Sequence, residues 1–167
     1  MPTKTLAELE SMVGTSVVTV EGFEIEAGKV EEFARAVKDD NPAHRSRAAA
    51  SEQGFDSIPA PLTYARVSDF PRYRAVEGRG IDIGFERAYS IHGEQTYEFE
   101  RPLKVGDVLT GTTTLTDVYQ RDGSRGGTMT FAVLETEYRD DDGELVVTDR
   151  ATVIETAGAI ETEGSDD

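Results

Sequence analysis

With 167 residues, 33 Asp and Glu against 17 Lys and Arg, a formal net charge of -16 and no cysteine, the chain suits one domain that repels phosphate backbones and uses no disulfide or thiolate. No apolar run nears the roughly 20 residues of a membrane helix, and Glu8 and Glu10 stand where a signal peptide needs apolar residues, so a cytoplasmic protein without membrane or nucleic-acid partners is expected. The acidic excess, with Lys4, Lys29, Lys38 and Lys104 the only lysines, resembles proteins of salt-loving archaea, where a Debye length of about 3 Å at about 1 M salt silences self-repulsion.

In chain order, Leu6 to Val13 reads as a short amphipathic helix capped by Thr5, and Ser16 to Ile25 alternates as a strand does. In "AGKVEEFARAVKDD" the apolar Val30, Phe33, Ala34 and Val37 fall at i, i+3, i+4 and i+7, one stripe of a helix facing a core. Asn41-Pro42 must end that helix, because proline lacks the amide hydrogen and pushes its predecessor out of the helical region. Arg47 to Gln53 reads as an alanine-rich helix closed by Gly54, and "IPAPLTYARVSDFP" predicts a further helix opening at Pro61 and closing before Pro71. Pro71 to Ala88 carries no firm periodicity. Gly78-Arg79-Gly80 within it fails the spacing of a dinucleotide loop and follows no strand.

The second half is β. Gly93 to Glu100, Val108 to Gln120, Thr128 to Arg139 and Leu145 to Thr156 are rich in Thr, Val, Tyr and Phe, and the turns "RPLKVGD", "RDGSRGG" and "DDDGE" separate them. "DDDG" lacks the later ligands of a calcium loop and reads as a hairpin turn. Thr112, Thr114 and Thr116 suit the polar face of such a sheet, and Glu161 to Asp167 reads as a disordered acidic tail. Helices first and an antiparallel meander second imply an α+β domain over residues 1–160.

The stretch "DDNPAH", Asp39 to His44, resembles the D-x-N-P-x-H signature of the MaoC-like hydratases and dehydratases, the (R)-specific enoyl-CoA hydratase family. The likeness extends to the preceding helix, Ala50, "GFDSIPAPLT" and "HGEQTYEFERPLKVGD", and so to roughly residues 20–155. "APLT" and "HGEQ" resemble its FAS1-like, MaoC N-terminal branch. The resemblance implies a hot-dog fold, an antiparallel sheet wrapped around a central helix, and a dimer, homo- or heteromeric, with another hot-dog chain. It also implies reversible addition of water to a trans-2-enoyl thioester of coenzyme A or acyl carrier protein, with no cofactor or metal.

On that resemblance Asp39 and His44 are the catalytic pair that holds the water, and Asn41 and Pro42 shape their loop. Asp40 is the alternative carboxylate. A thioester carbonyl that gains charge needs an amide donor. The family's His-Gly pair is replaced here by Ala60-Pro61, so either Leu62 or Thr63 beyond Pro61 donates or the oxyanion hole is incomplete. Lys38 stands where the family usually has glycine. His92 reads as a strand-edge histidine or a substrate contact, and Arg101 and Lys104 as surface residues or contacts to carrier phosphates. A bland alternative leaves His44 merely facing the carbonyls at a helix end. Two further functions stay open: a non-catalytic partner subunit of a heterodimeric dehydratase, and a hot-dog thioesterase.

Overall fold

The computed structural model describes residues 3–77, 80–123 and 127–156. The expected acidic tail at 161–167 lies outside them, as do Gly78 and Arg79. The elements run α1 (Leu6–Ser11), β1 (Ser16–Glu24), α2 (Ala27–Ala36), a 3-10 turn at Pro42–His44, α3 (Arg47–Glu52), 3-10 helices at Tyr64–Asp69 and Arg87–Tyr89, then β2 (Ser90–Phe99), β3 (Val108–Asp122), β4 (Thr128–Arg139) and β5 (Leu145–Glu155). Thr5 caps α1 through a reciprocal box with Glu8. The strands form one antiparallel sheet of order β1-β3-β4-β5-β2, the α+β architecture expected.

The segment from Pro61 corrects an expectation. It holds no α-helix: Tyr64 N–H donates to the Pro61 carbonyl in a tight turn, and a 3-10 helix follows over Tyr64–Asp69. The hydrogen bonds show this: Arg66 N–H reaches back three residues to the Thr63 carbonyl at 3.1 Å and Phe70 N–H to that of Val67 at 3.1 Å, while Tyr64, Ala65, Val67 and Ser68 go inside. Strand β2 also begins at Ser90, ahead of the expected Gly93.

The inward face of the sheet carries two apolar clusters. Val30 of α2 joins Val20, Phe23, Tyr64, Leu109, Tyr138 and Val147 in the first, where the Tyr64 ring lies 6.0 Å from Phe23 and 5.4 Å from Phe33 of α2. Leu9 of α1 joins Ile81, Ile83, Leu115, Leu134 and Val153 in the second. Between them runs a polar rung. Thr19 on β1 bonds Thr113 on β3 at 2.7 Å, and Thr113 bonds Thr136 on β4 at 2.8 Å. Thr136 is registered opposite Asp149 on β5, whose carboxylate accepts from Gln95 on β2. Thr112, Thr114 and Thr116 take the opposite, half-buried face, as their alternation predicts.

Helix α2 ends in a motif that reverses the chain. Asp39 N–H reaches back to the Ala34 carbonyl at 2.8 Å and Lys38 N–H to that of Arg35, which needs a left-handed residue at Lys38. Lys38 has φ of 59°, the one positive value among the described non-glycine residues. A β-carbon there costs about 1 kcal/mol. Lys38→Gly should therefore raise stability to denaturant by roughly 0.5–1 kcal/mol, and a loss of stability would show that the Lys38 side chain contributes more than its backbone strain removes.

Asp149 is 7 % exposed, and burial raises its pKa to about 6 against an opposing pull from Arg66 and a further push from Asp69. Below about pH 4 the side chain is protonated in folded and unfolded chains alike. As pH rises toward 6 the unfolded chain gives up its proton first, so stability falls, and above 6 the cost is constant. Asp149→Asn should match the parent well below pH 4 and exceed it by about 3 kcal/mol near pH 8, as read by denaturant titration at both pH values. A margin over the parent that did not grow between the two pH values would contradict the burial of charge.

Candidate active site

The loop after α2 is built by its own polar residues. Asn41 caps the Pro42–His44 turn by accepting from Ala43 N–H at 3.0 Å, and its amide exchanges bonds with Gln53 beyond α3. Asn41 N–H donates to Asp39 Oδ1 at 3.0 Å, and Arg45 reaches the Asp39 carbonyl at 2.8 Å. The loop thus turns back on itself, and it places His44 Nε2 3.1 Å from Asp39 Oδ2. Asp40 is 99 % exposed, so the neighbouring carboxylate plays no part in the pair.

The other ring nitrogen fixes the chemistry. His44 Nδ1 lies 2.8 Å from the carbonyl oxygen of Pro59. A carbonyl only accepts, so Nδ1 carries a proton and donates it. Pro59 is itself held: Ala60 N–H donates to the Leu103 carbonyl at 2.7 Å and Val105 N–H to that of Ile58 at 2.9 Å, a short ladder on both sides of it. With Nδ1 committed as the donor, Nε2 is the nitrogen that faces Asp39; in the neutral ring it is an acceptor, and it donates to the carboxylate only when the ring carries a second proton.

The Asn41 amide holds the Asp39 carboxyl below the ordinary carboxylate range, with His44 and Arg45 adding to it against partial desolvation. Asp39 is therefore an anion that accepts, beside a largely buried imidazole. A dyad of this form takes a proton from a water molecule and returns it.

The remaining expected residues separate. Pro61 has no N–H, and Leu62 and Thr63 follow it in the turn before Tyr64, their amides without an acceptor in the structure. The Leu62 side chain is 72 % exposed. Arg101 is occupied: it donates to Asp107 at 2.7 Å and to Asp140 at 3.0 Å, tying the β2–β3 loop to the β4–β5 turn. Lys104 pairs with Asp56. His92 sits exposed on β2, seven residues from Phe99 and so about 23 Å along the strand from the end that leads to this loop. Among the described residues no group of three or more His, Cys, Asp or Glu converges to hold a metal ion. No helix among them is long and apolar enough to cross a membrane.

The sequence pointed to Asp39 and His44 through side-chain type and spacing, but it held no sign of the Pro59 carbonyl, because a backbone acceptor is indifferent to residue type. The polar rung escaped it as well. Its signal was present in β5, where Val147, Asp149, Ala151 and Val153 alternate on one face and put an acid between inward apolar positions.

Comparison with known proteins gives this geometry a context. A family model described as "FAS1-like, dehydratase domain region" matches residues 11–149. A UPF0336 protein of Thermobifida fusca is 34 % identical over 143 residues, 81 % of this chain and 86 % of its own. Among solved structures, the C-terminally truncated HadBC (3R-hydroxyacyl-ACP dehydratase) complex from Mycobacterium tuberculosis superposes with a TM-score of 0.68 at 28 % identity, over 86 % of this chain and 96 % of that one. The (R)-hydratase from A. caviae involved in PHA biosynthesis gives 0.60 at 25 %, over 84 % and 94 %. The sheet order, the helix packed on its inner face and these likenesses agree: the chain is a hot-dog protein that belongs to the MaoC-like, FAS1-like dehydratase family.

Proposed function

We propose that the chain is a hydro-lyase that adds water reversibly to a trans-2-enoyl thioester, giving the (3R)-hydroxyacyl form, with coenzyme A or acyl carrier protein as the carrier. The observation that carries this reading is the Asp39–His44 contact of 3.1 Å, with Nδ1 tied to Pro59 at 2.8 Å.

In the forward direction one water bridges Asp39 Oδ2 and His44 Nε2. Asp39 takes its proton as the oxygen bonds to the β-carbon, the displaced π electrons move to the thioester oxygen as an enolate, and the proton passes from the dyad to the α-carbon. One water is consumed and no net proton is gained or lost. The enolate oxygen needs a donor, and the unpaired amides of Leu62 and Thr63 supply it in place of the missing Pro61 N–H. Asn41 holds the loop. Arg101, engaged by two carboxylates, positions the β2–β3 loop, and the carrier phosphates meet this edge of the molecule only through a group not already paired. His92 on the edge strand is a contact to a partner chain or to substrate bound across a dimer.

A second reading rests on Pro61. If its missing amide leaves the oxyanion uncompensated, the chain serves as the partner of a catalytic hot-dog chain. The free edge of β2, with Ile91 51 % exposed, suits a second hot-dog protomer in either case, the same chain or another.

The test is the ultraviolet absorbance of crotonyl-coenzyme A with the purified chain in concentrated potassium chloride. Loss of absorbance is expected, falling by about 10²-fold or more in both His44→Ala and Asp39→Asn. Absence of turnover from folded parent protein across short and long acyl chains would overturn self-sufficient catalysis and favour the partner role; release of free thiol instead would indicate a thioesterase.

A further inference from the structure

A cavity of about 700 Å³ lies apart from the Asp39–His44 pair. It opens over the inner face of the sheet, with Arg66 and Asp69 of the Tyr64–Asp69 helix on one wall and Thr19, Thr113, Thr136 and Asp149 beneath. Its floor is therefore the polar rung that divides the two apolar clusters. Each contributing strand has an apolar residue to either side of the rung: Leu109 and Leu115 on β3, Tyr138 and Leu134 on β4, Val147 and Val153 on β5.

A site for plain hydrocarbon has no use for this floor. Hydroxyl groups and a carboxylate under an alkyl chain lose water and gain no partner, and a buried carboxylate is destabilising wherever it is ionised. Simple space filling would put Val at Thr113 and Thr136 and Leu at Asp149. The polar residues instead form a connected row, Thr19 to Thr113 to Thr136, ending at a carboxylate that accepts from Gln95 and retains lone pairs toward the cavity. On the wall Asp69 pairs with both Arg66 and Arg74, and Glu77 and Asp149 add further acids, so the row offers acceptors and hydroxyls and does not suit an anion.

The cavity also lies within reach of the site. Pro59, which holds His44, is followed by the Pro61–Thr63 turn and then by the 3-10 helix whose Arg66 and Asp69 form the cavity wall. Six residues of 3-10 helix span about 12 Å at 2.0 Å per residue. A volume of about 700 Å³ sits well within the range of small-molecule sites and takes far more than a short alkyl group.

We propose that this cavity receives the distal part of the acyl chain and selects chains bearing a hydroxyl donor over plain hydrocarbon, with Asp149 and the Thr113–Thr136 pair as the specificity-determining residues. The inference rests on the thioester reading for the identity of the ligand, but not on turnover.

Calorimetric binding of ω-hydroxyoctanoyl-coenzyme A and octanoyl-coenzyme A to the full chain tests it. The parent should prefer the hydroxylated thioester by about tenfold or more, the worth of one hydrogen bond to a charged acceptor. Asp149→Leu should reduce that preference to about unity while holding or improving the affinity for the plain chain, and Thr136→Ser, which keeps the hydroxyl bonded to Thr113, should leave the preference in place. His44→Ala should keep the full preference. A parent that binds both thioesters equally, or favours the plain chain, would overturn the inference even if it hydrates crotonyl-coenzyme A. A preference that survives in His44→Ala beside a total absence of turnover would sustain the inference and remove only the hydratase reading.

Discussion

The site depends on one hydrogen bond, from His44 Nδ1 to the Pro59 carbonyl. It orients the ring, selects the tautomer and leaves Nε2 for Asp39. It also joins two parts of the chain that are distant in function: the loop that closes α2 and the segment that leads into the cavity wall. Pro59 in turn is fixed by backbone bonds to Leu103 and Val105 on either side. The Asp39–His44 pair thus inherits its precision from a short ladder between the connection after α3 and the β2–β3 loop, and the Arg101 bonds to Asp107 and Asp140 secure the same loop from the other side.

Two features of this chain are held against a local cost. Lys38 occupies a left-handed position that glycine takes with less strain, and Asp149 sits in the core with its charge opposed by burial. The first follows from the need to turn the chain immediately after α2, so that Asp39 and His44 can meet. The second belongs to a row of polar side chains that crosses the sheet and separates an apolar cluster under α2 from one under α1. Asp149 faces Arg66 and Asp69 from the 3-10 helix and Gln95 from β2, so its environment is polar on the cavity side only.

Much of the fold was legible in the sequence. The stripe Val30, Phe33, Ala34 marked α2, Thr5 marked the start of α1, and alternation with Asp-Gly turns marked the later strands. The segment after Pro61 was not, because its inward positions Tyr64, Ala65, Val67 and Ser68 suit an α-helix and a 3-10 helix alike, and residue type does not say whether the amides reach back three residues or four. In the site, the residue types of the "DDNPAH" loop announced proton chemistry. Which carboxylate meets His44 was a matter of orientation, with Asp39 turned toward the ring and Asp40 outward. The tautomer of His44 was settled by a backbone oxygen, to which sequence is blind.

The chain holds only two histidines, so the ring nitrogens of His44 can be observed individually by nitrogen-15 NMR, with His44→Ala assigning them against His92. The account requires the neutral ring of His44 to carry its proton on Nδ1, and the Nε2 signal to be the one that responds to Asp39→Asn. A neutral His44 that carries its proton on Nε2 would break the bond to Pro59 as described, and with it the assignment of Nε2 and Asp39 as the pair that handles water.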